Sequence, residues 1–167
     1  MVKIQYNGKT IDVENGTKII DILGDEVKKV GAIAARFNNE VKSLNYKLKE
    51  NGNLSLIDIS NKDGIRIYRK GLLFIIGKAI SELYPNAKIM VNYQLSNSLL
   101  CEITNMEITD KMIENINKKV ADIVEKNLPI EKKSMSKKEA EEFYKNSETI
   151  NGKLQLELHT KKQVSLY

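Results

Sequence analysis

Apolar and polar residues alternate at the start of the chain: Val2, Ile4 and Tyr6 share one side, as in a strand with one buried face. Asn7-Gly8 follows, a pair that tolerates positive φ and so favours a two-residue hairpin turn. Ile11 and Val13 continue the alternation and complete a hairpin. Thr17 is placed to cap a helix, in which Ile19, Ile20 and Leu23 recur at helical spacing. A third strand is expected over 33–37, with Asn38-Asn39 at its turn and Val41, Leu44 and Leu48 anchoring an irregular segment. Asn51-Gly52 then turns the chain into a closing strand that contains Leu54, Leu56 and Ile57. This order of hairpin, helix, strand and strand is that of a β-grasp module. The apolar-free segment Ser60 to Gly64 predicts a domain boundary, giving domains over 1–60 and 65–167.

The second half opens on a helix in which Leu72 to Ile76, Ala79, Ile80 and Leu83 cover most of the circumference. Such a pattern predicts burial on several sides beneath a surrounding sheet, and Pro85 ends the helix. A second hairpin is expected from Ile89, Val91, Tyr93 and Leu95, a turn at Ser96-Asn97-Ser98, and Leu99, Cys101 and Ile103. The alternation puts Cys101 on the apolar side, where core packing is the expectation. Thr109 should cap a helix running to about Asn127, with Met112, Ile113, Ile116, Val120, Ile123 and Val124 on its apolar side. The run Glu131 to Lys138 reads as a loop and helix start, or else as an RNA contact, and Ser136 and Glu139 have capping-box spacing. Leu154, Leu156 and Leu158 predict a strand that leaves His159 on the opposite face. The fold class is α+β.

The chain has 41% hydrophobic and 29% charged residues, a globular balance. One cysteine excludes an intrachain disulfide, and a single histidine excludes a Cys/His metal cluster. Aromatics at 6% without tryptophan argue against a broad base-stacking surface. The net charge of +5, more of it in the second half, permits contact with nucleotides or RNA without requiring it. The longest apolar run is too short to span a bilayer and no signal peptide is visible, so a cytoplasmic chain with no membrane partner is expected.

The residues "YNGKTIDVENGTKIIDIL" and "FNNEVKSLNYKLKENGNLSLID" resemble a TGS domain, the β-grasp module of threonyl-tRNA synthetases, certain GTPases and stringent-response enzymes. "AISELYPNAK", "LLCEI" and "ENINKKVADIVEKNLPIEKKSMSKKEAEEFY" resemble the editing domain of threonyl-tRNA synthetases, in the same order. That family carries a His-x-x-x-His pair one turn apart, able to share a metal or activate a water. Counted back from Leu83-Tyr84-Pro85, the two positions hold Lys70 and Phe74. Protonated lysine is a poor ligand and phenylalanine exchanges no proton, so the resemblance implies a degenerate site with no catalytic or metal-binding residue. The family's later Cys and His would lie past Tyr167, so the editing-like domain is expected to continue further.

"KDGIRIYRKGLLFIIGKAISELYPNAK" resembles the version of this domain found in bacterial uridine kinase-like proteins, where both modules precede a P-loop kinase domain. No G-x-x-x-x-G-K-[ST] run occurs, so ATP and Mg are expected only in that following kinase domain and no cofactor in this chain. The expected function is a non-catalytic accessory region, binding a ligand or RNA, of a kinase whose chemistry lies elsewhere. The alternatives are a divergent aminoacyl-tRNA deacylase and a tRNA-binding module. The partners expected are tRNA or a nucleotide and the kinase domain. Arg66, Arg69 and Lys70 form either an anion or RNA contact or, as charge runs usually do, a solvated face.

Overall fold

A computed structural model describes residues 1–95, 98–145, 147 and 150–167 of the chain. The architecture is α+β, in two compact units, Met1–Leu72 and Leu73–Tyr167.

Unit 1 is built on β1 (Val2–Tyr6), β2 (Lys9–Val13), α1 (Ile19–Val30), β3 (Ala34–Phe37), β4 (Glu40–Lys42) and β5 (Gly52–Ile57). Its five-stranded sheet has the order β2-β1-β5-β3-β4. β1 pairs antiparallel with β2 and parallel with β5, with Ile4 opposite Gly52. Asn7 and Gly8 both have positive φ, as the tight turn between β1 and β2 requires. Ile4, Ile19, Leu23, Val27, Ala35, Phe37, Leu48 and Leu54 form one core between the sheet, α1 and the 44–48 segment.

Thr17 does not cap α1, as its hydroxyl donates to the Glu14 carbonyl. The first amides of α1 find backbone acceptors instead: Ile19 N–H donates to Tyr46 O and Ile20 N–H to Leu44 O. The segment around Leu48 thus does the work a side-chain cap would do elsewhere.

α2 (Lys62–Leu83) begins earlier than the apolar pattern indicates, because Asn61 Oδ1 accepts from Asp63 N–H and opens the helix. It runs across the boundary between the units. Unit 2 continues with β6 (Ile89–Leu95), β7 (Ser98–Ile103), α3 (Asp110–Lys126), β8 (Lys133–Ser136), α4 (Lys137–Lys145), α5 (Ile150–Leu158) and β9 (Gln163–Leu166). β6 pairs with β7 and β8 with β9, both antiparallel. Ser96 and Asn97, in the expected turn, lie outside the described residues, as do the side chains of Tyr93 and Leu95.

Unit 2 departs from the sequence reading in four places. The helix is not enclosed by a sheet: Phe74 and Leu83 are exposed, and only Ala79 and Ile80 of its unit 2 part are buried. A two-stranded hairpin, about 5 Å from strand to strand, is too narrow to wrap a helix about 10 Å across. Cys101 is exposed rather than packed in a core, because its side of the hairpin borders an open groove against α2 and α3. The Glu131 to Lys138 run contains a strand, β8, because Gln163–Leu166 supplies it with a ladder. The predicted Leu154 strand is the helix α5, and His159 follows its C-terminal end rather than facing away from a strand.

Asn151, in the first turn of α5, ties the helix to the segment before β6. Its side chain accepts from Ile89 N–H and donates to Ala87 O, completing the backbone pairing of the segment before β6. Asn105 holds Lys88 N–H and Asn86 O in the same manner. Thr109 caps α3 as expected, accepting from Met112 N–H, and Ser136 and Glu139 form the reciprocal bonds of a capping box.

Candidate functional site

Three cations were expected to converge on the first half of α2, and the structure sorts them. Arg66 is ion-paired with Asp63 at 2.5 Å, and Arg36 of β3 reaches the other oxygen of the same carboxylate at 2.7 Å. Asp63 thus holds two guanidinium groups, leaving a local excess of one positive charge. Arg69 is half-buried and Lys70 is exposed. Arg66, Arg69 and Lys70 share one side of α2, being three and four positions apart. Arg36 could not be anticipated, since nothing local ties it to a carboxylate 27 residues later.

Phe74 lies in unit 2 and lines a groove of about 360 Å³ between α2 and α3. The Tyr167 ring meets it edge-on, with centroids 6.4 Å apart. Ile75, Ile123, Leu128, Pro129 and Ile130 extend the apolar lining. Glu82 stands at the groove and accepts from Lys119 at 2.8 Å and Lys78 at 2.5 Å, bridging the two helices. These bonds, that from Lys119 first, hold the Glu82 carboxyl at a pKa of about 2. Lys78 is its i,i+4 neighbour on α2, whereas Lys119 comes from α3 and is brought there by the fold.

A depressed carboxylate pKa stabilises the fold above the unfolded value of 4.5, and the contribution fades as pH falls towards about 2. Glu82 is 40% exposed, so solvent screening keeps its contribution near the surface-pair range. Glu82→Gln should lower stability by about 0.5–1 kcal/mol at pH 7. The loss should vanish near pH 2, as thermal melts of the two proteins across that window would register. A loss unchanged at pH 2 would mean the helices are joined by packing alone.

A second groove, about 280 Å³, lies on the other side of α2, lined by Leu73, Ile76, Ile80, Val91, Cys101 and Ile113 among others. Among the described residues, no three of the His, Cys, Asp and Glu side chains group to hold a metal ion. No helix of the described residues is long and apolar enough to cross a membrane. What the geometry offers is a set of phosphate-compatible cations on the first half of α2 and an apolar groove beside its second half.

No family model matches the chain. In sequence it is similar to threonine–tRNA ligases. That of Clostridium tetani is 30% identical over 148 residues, covering 84% of this chain and 22% of the ligase. That of Clostridium kluyveri is 29% identical over 148 residues, covering 86% and 23%. That of Wigglesworthia glossinidia brevipalpis is 29% identical over 167 residues, covering 98% and 26%. The chain therefore spans about a quarter of the length of the relatives it matches, and across most of its own length it is related to threonyl-tRNA synthetases.

Proposed function

We propose that the chain is a non-catalytic, tRNA-contacting module of threonyl-tRNA synthetase descent. Residues 1–60 are read as a TGS-type β-grasp domain and residues 65–167 as an editing-type domain whose histidine positions hold Lys70 and Phe74. The observation that carries this reading is similarity to tRNA ligases along nearly the whole chain, with those two residues where a hydrolytic site would need histidines. The hairpin, helix and strand order of unit 1 supports the first assignment, since its central β1 and β5 run parallel in a mixed sheet. Phe74 supports the second, because it lines an apolar groove and meets Tyr167 where a ligand histidine would face water.

Arg66, Arg69 and Lys70, on one side of α2, are the proposed phosphate contacts, and Asp63 holds Arg66 in place. An accessory place ahead of a P-loop kinase, the reading the sequence favoured, finds no counterpart among the relatives described above, all of them tRNA ligases. The RNA reading is therefore preferred.

The purified chain should retain tRNA on a filter at low salt, with affinity falling as salt rises, since phosphate contacts release counterions. It should not hydrolyse aminoacyl-tRNA above the buffer rate. Absence of tRNA retention, or turnover abolished by Lys70→Ala, would overturn the proposal.

A further inference from the structure

The pairing of β8 with β9 brings together lysines that lie far apart in the sequence. Ser136 stands opposite Gln163, and beyond that rung Lys137 N–H donates to Lys162 O at 2.8 Å. Lys137-Lys138 and Lys161-Lys162 therefore meet at one end of the ladder. Lys137 is used within the fold: its ammonium donates to His159 O at 2.8 Å and lies 4.0 Å from Glu141. Lys138, Lys161 and Lys162 are exposed and, among the described residues, make no ion pair. Of the nearby carboxylates, Glu139 is held by the amide and hydroxyl of Ser136, while Glu142 and Glu157 are exposed on α4 and α5. Thr160 and Gln163, both exposed, add neutral donors among the cations.

We propose that Lys138, Lys161 and Lys162 form a second polyanion-contacting surface, in unit 2, that binds the phosphate backbone of RNA. Lysines interspersed with hydroxyl and amide donors suit phosphate oxygens, which position a nucleic acid without reading its sequence. The inference rests on the tRNA reading above for its choice of polyanion. An anionic lipid surface is the competing occupant, since exposed Leu158 stands close by in the chain.

The test compares the 167-residue chain with Lys138→Ala/Lys161→Ala/Lys162→Ala in tRNA binding from low to moderate salt. Each lost phosphate contact removes about 0.7–0.9 from the slope of log affinity against log salt. The triple variant should show a slope shallower by about 2 and an affinity at least about tenfold weaker at low salt. The matching arginine variant should keep both, and Lys9→Ala/Lys28→Ala/Lys29→Ala, with the same charge loss on unit 1, should keep the slope within about 1. Far-UV circular dichroism checks that each variant is folded. An unchanged slope in the triple variant, while the native chain binds tRNA, would overturn this surface and leave the tRNA reading intact. No tRNA binding by the native chain would overturn both, and binding only to phosphatidylserine vesicles would replace RNA by lipid.

Discussion

Gly64→Ala should lower the stability of unit 1 by about 3 kcal/mol, against the usual sign of that change in a helix. Alanine normally favours a helix interior over glycine by about 1 kcal/mol. At Gly64, however, a Cβ would fall inside the van der Waals shell of the Asp58 carbonyl, which is backbone and already accepts from Asn61 N–H. The first turn of α2 lies this close because residue 64 has no side chain. Moving it away would also pull Asp63 from Arg36 and so undo the charge cluster on that part of α2. Thermal unfolding should show a midpoint lower by about 10 °C or more. Gly71→Ala, at a position with open space around it, should be neutral or stabilising. If both alanines behave alike, helix propensity and not the close approach governs the start of α2.

Phe37→Ala should cost about 3–5 kcal/mol, a large share of the about 5–15 kcal/mol by which a domain is ordinarily stable. Phe37 is 1% exposed, packs within the unit 1 core and meets the Tyr46 ring at 6.0 Å. The same truncation at Phe74, 38% exposed, should cost about 1 kcal/mol or less, because water already reaches the ring. Urea titrations of both variants, followed by circular dichroism, would measure the difference. Equal losses would show Phe74 to be packed as a core residue and would remove the open groove from the account.

Unit 1 was legible because its signals are local and agree with one another. Asn7-Gly8 fixes a turn, the alternating residues on either side fix the register, and the α1 pattern faces the sheet they make. The cap of α1 was not legible, because its acceptors, Leu44 O and Tyr46 O, are backbone atoms from a segment with no regular pattern. The leucines of α5 misled for a different reason. Three apolar residues at alternate positions are too short a run to separate strand from helix, and only Leu156 of the three is buried. Asn151, in the first turn of α5, bonds to partners more than sixty residues earlier, a tie that no local pattern announces. Arg66, Arg69 and Lys70 could be named from sequence, but the carboxylate that takes up Arg66, and the Arg36 that shares it, required the fold. The meeting of Lys137-Lys138 with Lys161-Lys162 was equally hidden, since it depends on a strand, β8, where a loop was expected.

The parallel pairing of β1 with β5 has a consequence for synthesis. The β1–β2 hairpin leaves the ribosome before β5, and β1 stays an open edge until a segment 48 residues later has emerged to bond with it. Unit 1 cannot close its sheet during elongation until β5 is clear of the exit tunnel. The hairpin must therefore remain unaggregated through that interval, and the exposed lysines Lys3 and Lys9 on its two strands are the kind of edge charge that keeps such an intermediate apart from its neighbours.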